Sequence, residues 1–216
     1  MTARDIILSR IRSALSDVTL DDPATDVPVE WQYGRGSGKP DVLETFVEMV
    51  LDYKAVVKRV SPSEVPATIA GLLTERGVRS VVVPAGVDEQ WRRAIADAGV
   101  EILSDEPPLS HQELNVSGGV VTASAVAIAE TGTIVLDHRP DQGRRALTLV
   151  PDLHVCVVRA DQVVSDVPEA VGRLASSVTE GNPLTWISGG SATSDIELNR
   201  VEGVHGPRTL LVVLAE

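Results

Sequence analysis

Residues 80–103, SVVVPAGVDEQWRRAIADAGVEIL, decide the fold. Ser80-Val81-Val82-Val83 is a short, continuously apolar run of the kind that fills a strand buried on both faces. Val87 to Ala98 has helical spacing and stops at Gly99, where a left-handed terminating residue is expected, and Val100 to Leu103 is again strand-like. Short buried strands alternating with helices indicate a parallel sheet covered on both faces.

Upstream, Ser61-Pro62-Ser63-Glu64 supplies an N-cap serine, a first-turn proline and a capping-box glutamate. Pro66 crowds it, so a helix is expected there or a few residues later, running to Gly77. Ala55 to Val60 reads as a strand, and Val42, Phe46, Val47, Val50 and Leu51 as a helix. Ile7, Ile11 and Leu15 recur every four residues behind Thr2 and Asp5, predicting a helix over 3–15. Ser16 to Pro40 has neither period and carries Pro23, Pro28, Gly34, Gly36 and Gly38. It reads as an arm whose Trp31-Gln32-Tyr33 segment either contacts a partner or folds back. Downstream, Val116 to Ala129 and Thr133 to Leu136 are β-prone runs around a turn at Glu130-Thr131-Gly132. Leu147 to Val150, His154 to Val158, Leu184 to Ile187 and Thr209 to Leu214 read as further strands, and Val167 to Val178 as a helix. The predicted organisation is an N-terminal helix and extended arm over 1–40 and one α/β domain over 41–216.

The 216 residues include one Phe, two Tyr and three Trp, so the core must be aliphatic. Nineteen Lys plus Arg against 31 Asp plus Glu give a net charge of -12, which argues against nucleic acid and anionic membranes and leaves room for a small anion at a local basic patch. The single cysteine, Cys156, excludes an internal disulfide and any iron-sulfur cluster or thiolate zinc site built by this chain alone. It reads as a buried small hydrophobe. Met1 to Leu15 alternates charges with isoleucines, unlike a secretory signal. The longest uncharged stretch, Leu114 to Ala129, is too short and polar to span a bilayer, so a cytoplasmic protein is expected.

Gly34-Arg35-Gly36-Ser37-Gly38-Lys39 departs from a phosphate loop at Tyr33 and Pro40, and no dinucleotide-binding glycine turn is present. Glu130, on a turn closing the uncharged run, is either an exposed turn residue or a carboxylate at a pocket mouth, raised in pKa and suited to acid/base or nucleophilic work. Arg144 and Arg145 are either forks for a carboxylate or phosphate, or a solvated pair bridged to Asp141. Ser188-Gly189-Gly190-Ser191-Ala192-Thr193-Ser194-Asp195 is an anion-binding nest or a flexible turn capped by Asp195. Glu197, Arg200, Glu202 and His205 follow at a density that a simple turn does not require. His111, His138, His154 and His205 show no i, i+4 pairing, so no metal is expected.

Ala129-Glu130-Thr131-Gly132-Thr133, the run Gly143-Arg144-Arg145-Ala146-Leu147 leading to Pro151, Ser191 to Glu197, and Val201-Glu202-Gly203-Val204-His205-Gly206-Pro207 together resemble the lactate utilization protein C family, or LUD domain. The motifs cover residues 129–208; the N-terminal half is similar only in layout. The resemblance implies a three-layer α/β/α fold with a largely parallel central sheet, like that of ribose-5-phosphate isomerase and the CoA transferases. It also implies a role in oxidising L-lactate to pyruvate with two partner proteins that carry iron-sulfur clusters, this chain binding no cofactor itself. On that basis Arg144 or Arg145 would hold the substrate carboxylate, and His205 or Glu130 would accept the proton of the 2-hydroxyl. Thr131, Gly132, Thr133, Gly189, Gly190, Ser191, Thr193, Asp195, Glu197 and Glu202 would line the site. The alternative is a free-standing enzyme of the sugar-phosphate isomerase or acyl-transfer type, with Glu130 as base or nucleophile and the 188–195 loop cradling phosphate. Either reading requires the Glu130 turn, the arginine loop and the 188–205 segment to converge on one rim.

Overall fold

Helix α1 (Ala3–Ala14) begins on the expected capping box: the Asp5 amide donates to the Thr2 hydroxyl, and the Thr2 amide donates to the Asp5 carboxylate. No residue of α1 is buried, and Ile7, Ile11 and the C-cap Leu15 are all exposed. The computed structural model describes residues 2–18, 41–193, 201–202 and 206–216, and the chain divides into two units, Met1–Tyr33 and Gly34–Glu216. Trp31 and Tyr33 lie outside the described residues.

In the second unit the elements are α2 (Val42–Asp52), β1 (Val56–Val60), α3 (Val65–Glu75), β2 (Ser80–Val82), α4 (Glu89–Asp97), β3 (Glu101–Leu103), α5 (His111–Val116), β4 (Val120–Thr122), β5 (Val126–Ile128), β6 (Thr133–Leu136), β7 (Leu153–Arg159), β8 (Val163–Val164), α6 (Val167–Thr179), β9 (Thr185–Ile187), β10 (Ala192–Thr193), β11 (Val201–Glu202) and β12 (Thr209–Ala215). Six strands form one sheet in the order β1-β12-β7-β4-β2-β3, every pairing parallel. The 80–103 unit is its far edge, as the sequence predicts. Pro62–Glu64 forms a single 3-10 turn and α3 follows directly, Pro66 being tolerated in the first turn where no intrahelical bond is owed by its nitrogen.

The core explains the second sheet. Val155 and Val157 of β7 with Leu211 and Val213 of β12 face Ile69 and Leu73 of α3 and Ile95 of α4. The alternate residues Cys156, Val158, Val212 and Leu214 face Phe46 and Val50 of α2, and also Ala127, Ile134 and Leu136 of a four-stranded mixed sheet, order β8-β5-β6-β9. The far side of this smaller sheet is covered by α6, with Val126, Ile128, Val135 and Val164 on Ala170 and Leu174. The expected three-layer stacking is therefore modified. One face of the parallel sheet carries helices, and the other carries α2 together with a sheet, because β5 and β6 are apolar on both sides and need cover on both.

Two local expectations change. Leu147 to Val150, read as a strand, follows a different course: Arg145–Thr148 is a 3-10 turn that tucks Leu147 against Val82, Leu114 and Val120. Within Val116 to Ala129 the chain makes two strands with a break, and the unpredicted α5 precedes them on its own Ser110–Glu113 capping box. The Glu130 turn does form, between antiparallel β5 and β6. Its Gly132 has φ +57°, and a Cβ there would lie 2.8 Å from the Met49 carbonyl carbon. Gly132→Ala should therefore cost about 2 kcal/mol or more, since the left-handed backbone alone costs roughly 1–2 kcal/mol in an L-residue and the clash with α2 adds to it. Urea denaturation of the two proteins would measure the difference; equal midpoints would show that α2 moves aside freely.

Candidate functional site

The loop between β6 and β7 is the main positioning device. Gly86, after β2, donates its amide to the Pro140 carbonyl (2.9 Å), and Ala123, after β4, donates to the Asp141 carbonyl (3.1 Å). A side chain at Gly86 would collide with the Pro140–Asp141 backbone, so the close approach requires glycine. His138, itself at φ +57°, ties this loop to β9. Its Nδ1 lies 2.7 Å from the Gly143 carbonyl and its Nε2 2.7 Å from the Thr185 hydroxyl. A carbonyl only accepts, so Nδ1–H donates, and Nε2 accepts from the threonine.

The two arginines at the end of this loop separate. Arg144 donates from Nε and Nη2 to the two carboxylate oxygens of Asp105 (2.7 and 2.9 Å) and from Nη2 to the Leu109 carbonyl (2.7 Å). Burial pushes the Asp105 carboxyl up, but the hydrogen bonds from Arg144 and the Leu109 amide, with the arginine charge, outweigh it and hold the carboxyl below its ordinary value. The Arg145 guanidinium has no hydrogen bond or ion pair among the described residues, while its carbonyl accepts from the Thr148 hydroxyl (3.3 Å), and the residue lies on the wall of a cavity of about 280 Å³.

That cavity is bounded by Thr148 and Leu149 beside Arg145, by Thr185 to Ser191, by Gly206 and Pro207, and by His154 and Leu210. His154 and Leu210 are second in β7 and β12 and pair with each other, so the cavity opens at the amino ends of the central strands, between the two sheets. Gly189, at φ +77°, and Gly190 are required by packing: a Cβ on the first would meet Tyr53, and on the second the Arg208 carbonyl. The Ser191 amide donates to the Pro207 carbonyl (2.8 Å), which closes the wall. These contacts serve shape, and the Ser191 amide is taken up within the wall.

Of the sequence-derived candidates, Arg145, Gly189, Gly190 and Ser191 share this cavity. Thr131, Thr133 and Ser188 form a line of hydroxyls, with Thr133 Oγ1 2.8 Å from both of the others, that connects the Glu130 turn to the cavity wall. Glu130 itself is exposed on the turn, its amide donating to the Ser165 carbonyl (3.1 Å). Gly132 packs on α2, and Arg144 is engaged by Asp105. Thr193 and Glu202 belong to the antiparallel β10–β11 ribbon, Thr193 opposite Val201 and Ala192 opposite Glu202. Asp195, Glu197 and His205 lie outside the described residues.

Sequence reasoning passed over His154. It is buried, its Nε2 is 2.8 Å from the Thr122 hydroxyl, and burial pushes its imidazole down to about 4, so it is neutral in the physiological range. The available signal was a lone polar ring inside the apolar run of β7.

The fold and cavity thus define an α/β protein whose parallel and mixed sheets flank a cavity of mixed polar and apolar lining that carries one guanidinium unengaged among the described residues. The chain belongs to the LUD domain family, whose model matches residues 43–215. A lactate utilization protein C of Deinococcus radiodurans is 56% identical over 176 residues, covering 82% of this chain and 80% of its own length. A lactate utilization protein C of Bacillus pumilus is 28% identical across 99% of this chain and 96% of its own. A crystal structure of a DUF162 family protein from Deinococcus radiodurans has a TM-score of 0.71 and 50% identity, covering 82% of this chain and 97% of that one.

The separation of the arginines gives a stability test. Arg144→Ala should lower stability by about 1–2 kcal/mol, the value of a charge-assisted pair reduced for partial exposure, while Arg145→Ala should change it by less than about 0.5 kcal/mol. Asp105 has a lowered folded pKa, so its contribution is present above its unfolded value of about 3.9 and is lost as pH falls through the folded value. Urea midpoints of wild type and Arg144→Ala should therefore differ at neutral pH and converge in acid; parallel curves would mean that the pair contributes nothing.

Proposed function

We propose that this chain is a component of a lactate-oxidising assembly that binds the 2-hydroxy acid in the cavity beside Arg145, while two iron-sulfur proteins take the electrons. The observation that carries the reading is a guanidinium free of protein partners among the described residues, on the wall of a small cavity in a chain of net charge -12. A fork with no carboxylate to satisfy among the described residues is suited to an external one, and the local reversal of sign concentrates small anions there. Kinship with proteins called lactate utilization protein C supplies the substrate class.

Oxidation of lactate to pyruvate releases two electrons and two protons. Cys156 is the only cysteine, is buried, and its thiol is pushed up to about 12, chiefly by burial, so it is no cluster ligand. In this reading the electrons pass to partner proteins whose thiolates hold the clusters, and this chain contributes binding and orientation. The implied kinship of fold with ribose-5-phosphate isomerase and the CoA transferases belongs to the same proposal, and the all-parallel sheet supports it. No helix among the described residues is long and apolar enough to cross a membrane.

Calorimetric titration with L-lactate at low salt tests the reading. Arg145→Ala should lose tenfold or more in affinity, in line with about 1.5–3 kcal/mol for a charged hydrogen bond, and Arg145→Lys should recover part of it. An Arg145→Ala protein that binds lactate as tightly as wild type, or a wild type that binds none alone or with co-purified iron-sulfur proteins, would overturn it.

A further inference from the structure

His154, on the wall of the cavity, is a polar group whose state is set by its neighbours. His154 Nε2 contacts the Thr122 hydroxyl at 2.8 Å; that hydroxyl lies 3.8 Å from Cys156 Sγ, and the thiol lies 3.7 Å from the Ala123 carbonyl. The carbonyl can only accept, so the thiol donates to it. The sulfur then accepts from the Thr122 O–H, and the threonine oxygen accepts from His154 Nε2–H. The opposite orientation, with Thr122 donating to the imidazole, forfeits the bond to sulfur, and only the first direction uses every contact. Nδ1 is then the ring nitrogen with a lone pair, and it takes no partner among the described residues.

We infer that His154 is the specificity-determining residue of this cavity, an unprotonated Nδ1 acceptor that reads the hydroxyl of a 2-hydroxy acid whose carboxylate is held by Arg145. The inference rests on the hydroxy-acid reading above. It adds a discrimination which Arg145 cannot make. Lactate offers an O–H to Nδ1, pyruvate offers only another acceptor, and propionate offers nothing. A buried acceptor left without a donor is penalised, which is how a polar site rejects an analogue lacking the matching group. Burial, which keeps the imidazole neutral, suits it to accept a hydrogen bond and makes it a poor proton abstractor.

The test uses the full-length protein with L-lactate, pyruvate and propionate as probes, followed by calorimetry, and ¹⁵N spectroscopy of the histidine rings without ligand. Wild type should bind lactate about tenfold more tightly than either analogue, His154→Phe should bind lactate and propionate alike, and Nδ1 should resonate as an unprotonated ring nitrogen. Measurable lactate binding without preference over propionate, or a protonated Nδ1 in the spectrum, would overturn the role of His154 while leaving the carboxylate site at Arg145 intact. Failure of wild type to bind any of the three acids would overturn the functional reading, and this role with it. If His154→Phe does not fold, the wild-type preference and the ring spectrum decide the question without it.

Discussion

Burial of β7 and β12 on both faces is the constraint from which the rest of the second unit follows. Their paired residues are apolar on each side, and neither face can be left to water. Fully burying one Val or Leu side chain contributes roughly 1.5–3 kcal/mol, so a bare face would forfeit several such contributions at once. Helices α3 and α4 cover one side. Helix α2 alone is too narrow for the other, and the mixed sheet completes it, which in turn needs α6 on its outer surface. The small sheet is thus a structural necessity before it is a wall of any site.

The stacking of two sheets also creates the site. Where they meet at the amino ends of β7 and β12, the apolar sequence gives way to His154, and the cavity lies beside it. A buried imidazole needs a partner, and Thr122 on the neighbouring strand supplies it. The β6–β7 loop, fastened at Gly86 and Ala123, then delivers Arg145 to the same space while Arg144 secures the loop to Asp105. Adjacent residues of one type therefore do different work, one structural and one facing outward.

The local elements were legible because their signals are local. The apolar runs at 80–83 and 154–158, the glycine after α4 and the capping boxes at Thr2 and Ser61 each act within a few residues. What stayed hidden depended on partners distant in sequence. Arg144 and Arg145 look equivalent until Asp105, 39 residues upstream of the former, is seen to hold it, and His154 looks like a stray polar residue until Thr122, 32 residues away, is placed against it. Continuous apolar runs at β5 and β6 announce burial without saying what covers them. The four residues Leu147 to Val150 are too few for periodicity to tell a strand from the end of the 3-10 turn over Arg145–Thr148. Gly189 and Gly190 signal an unusual backbone, but sequence does not distinguish a nest from a close approach to Tyr53 and Arg208.

Cys156 lies at the seam between β4 and β7, opposite Thr122, with no accessible surface and a thiol that stays protonated far above neutrality. Thiol reagents attack the thiolate, so in the closed molecule the sulfur is both shielded and chemically silent. It becomes reactive only when the strands part. Because the sequence contains no other cysteine, the rate of its modification is a clock with a single hand, timing how often the centre of the parallel sheet opens. Reagents of increasing size would grade those openings from breathing of one seam to loss of the whole core.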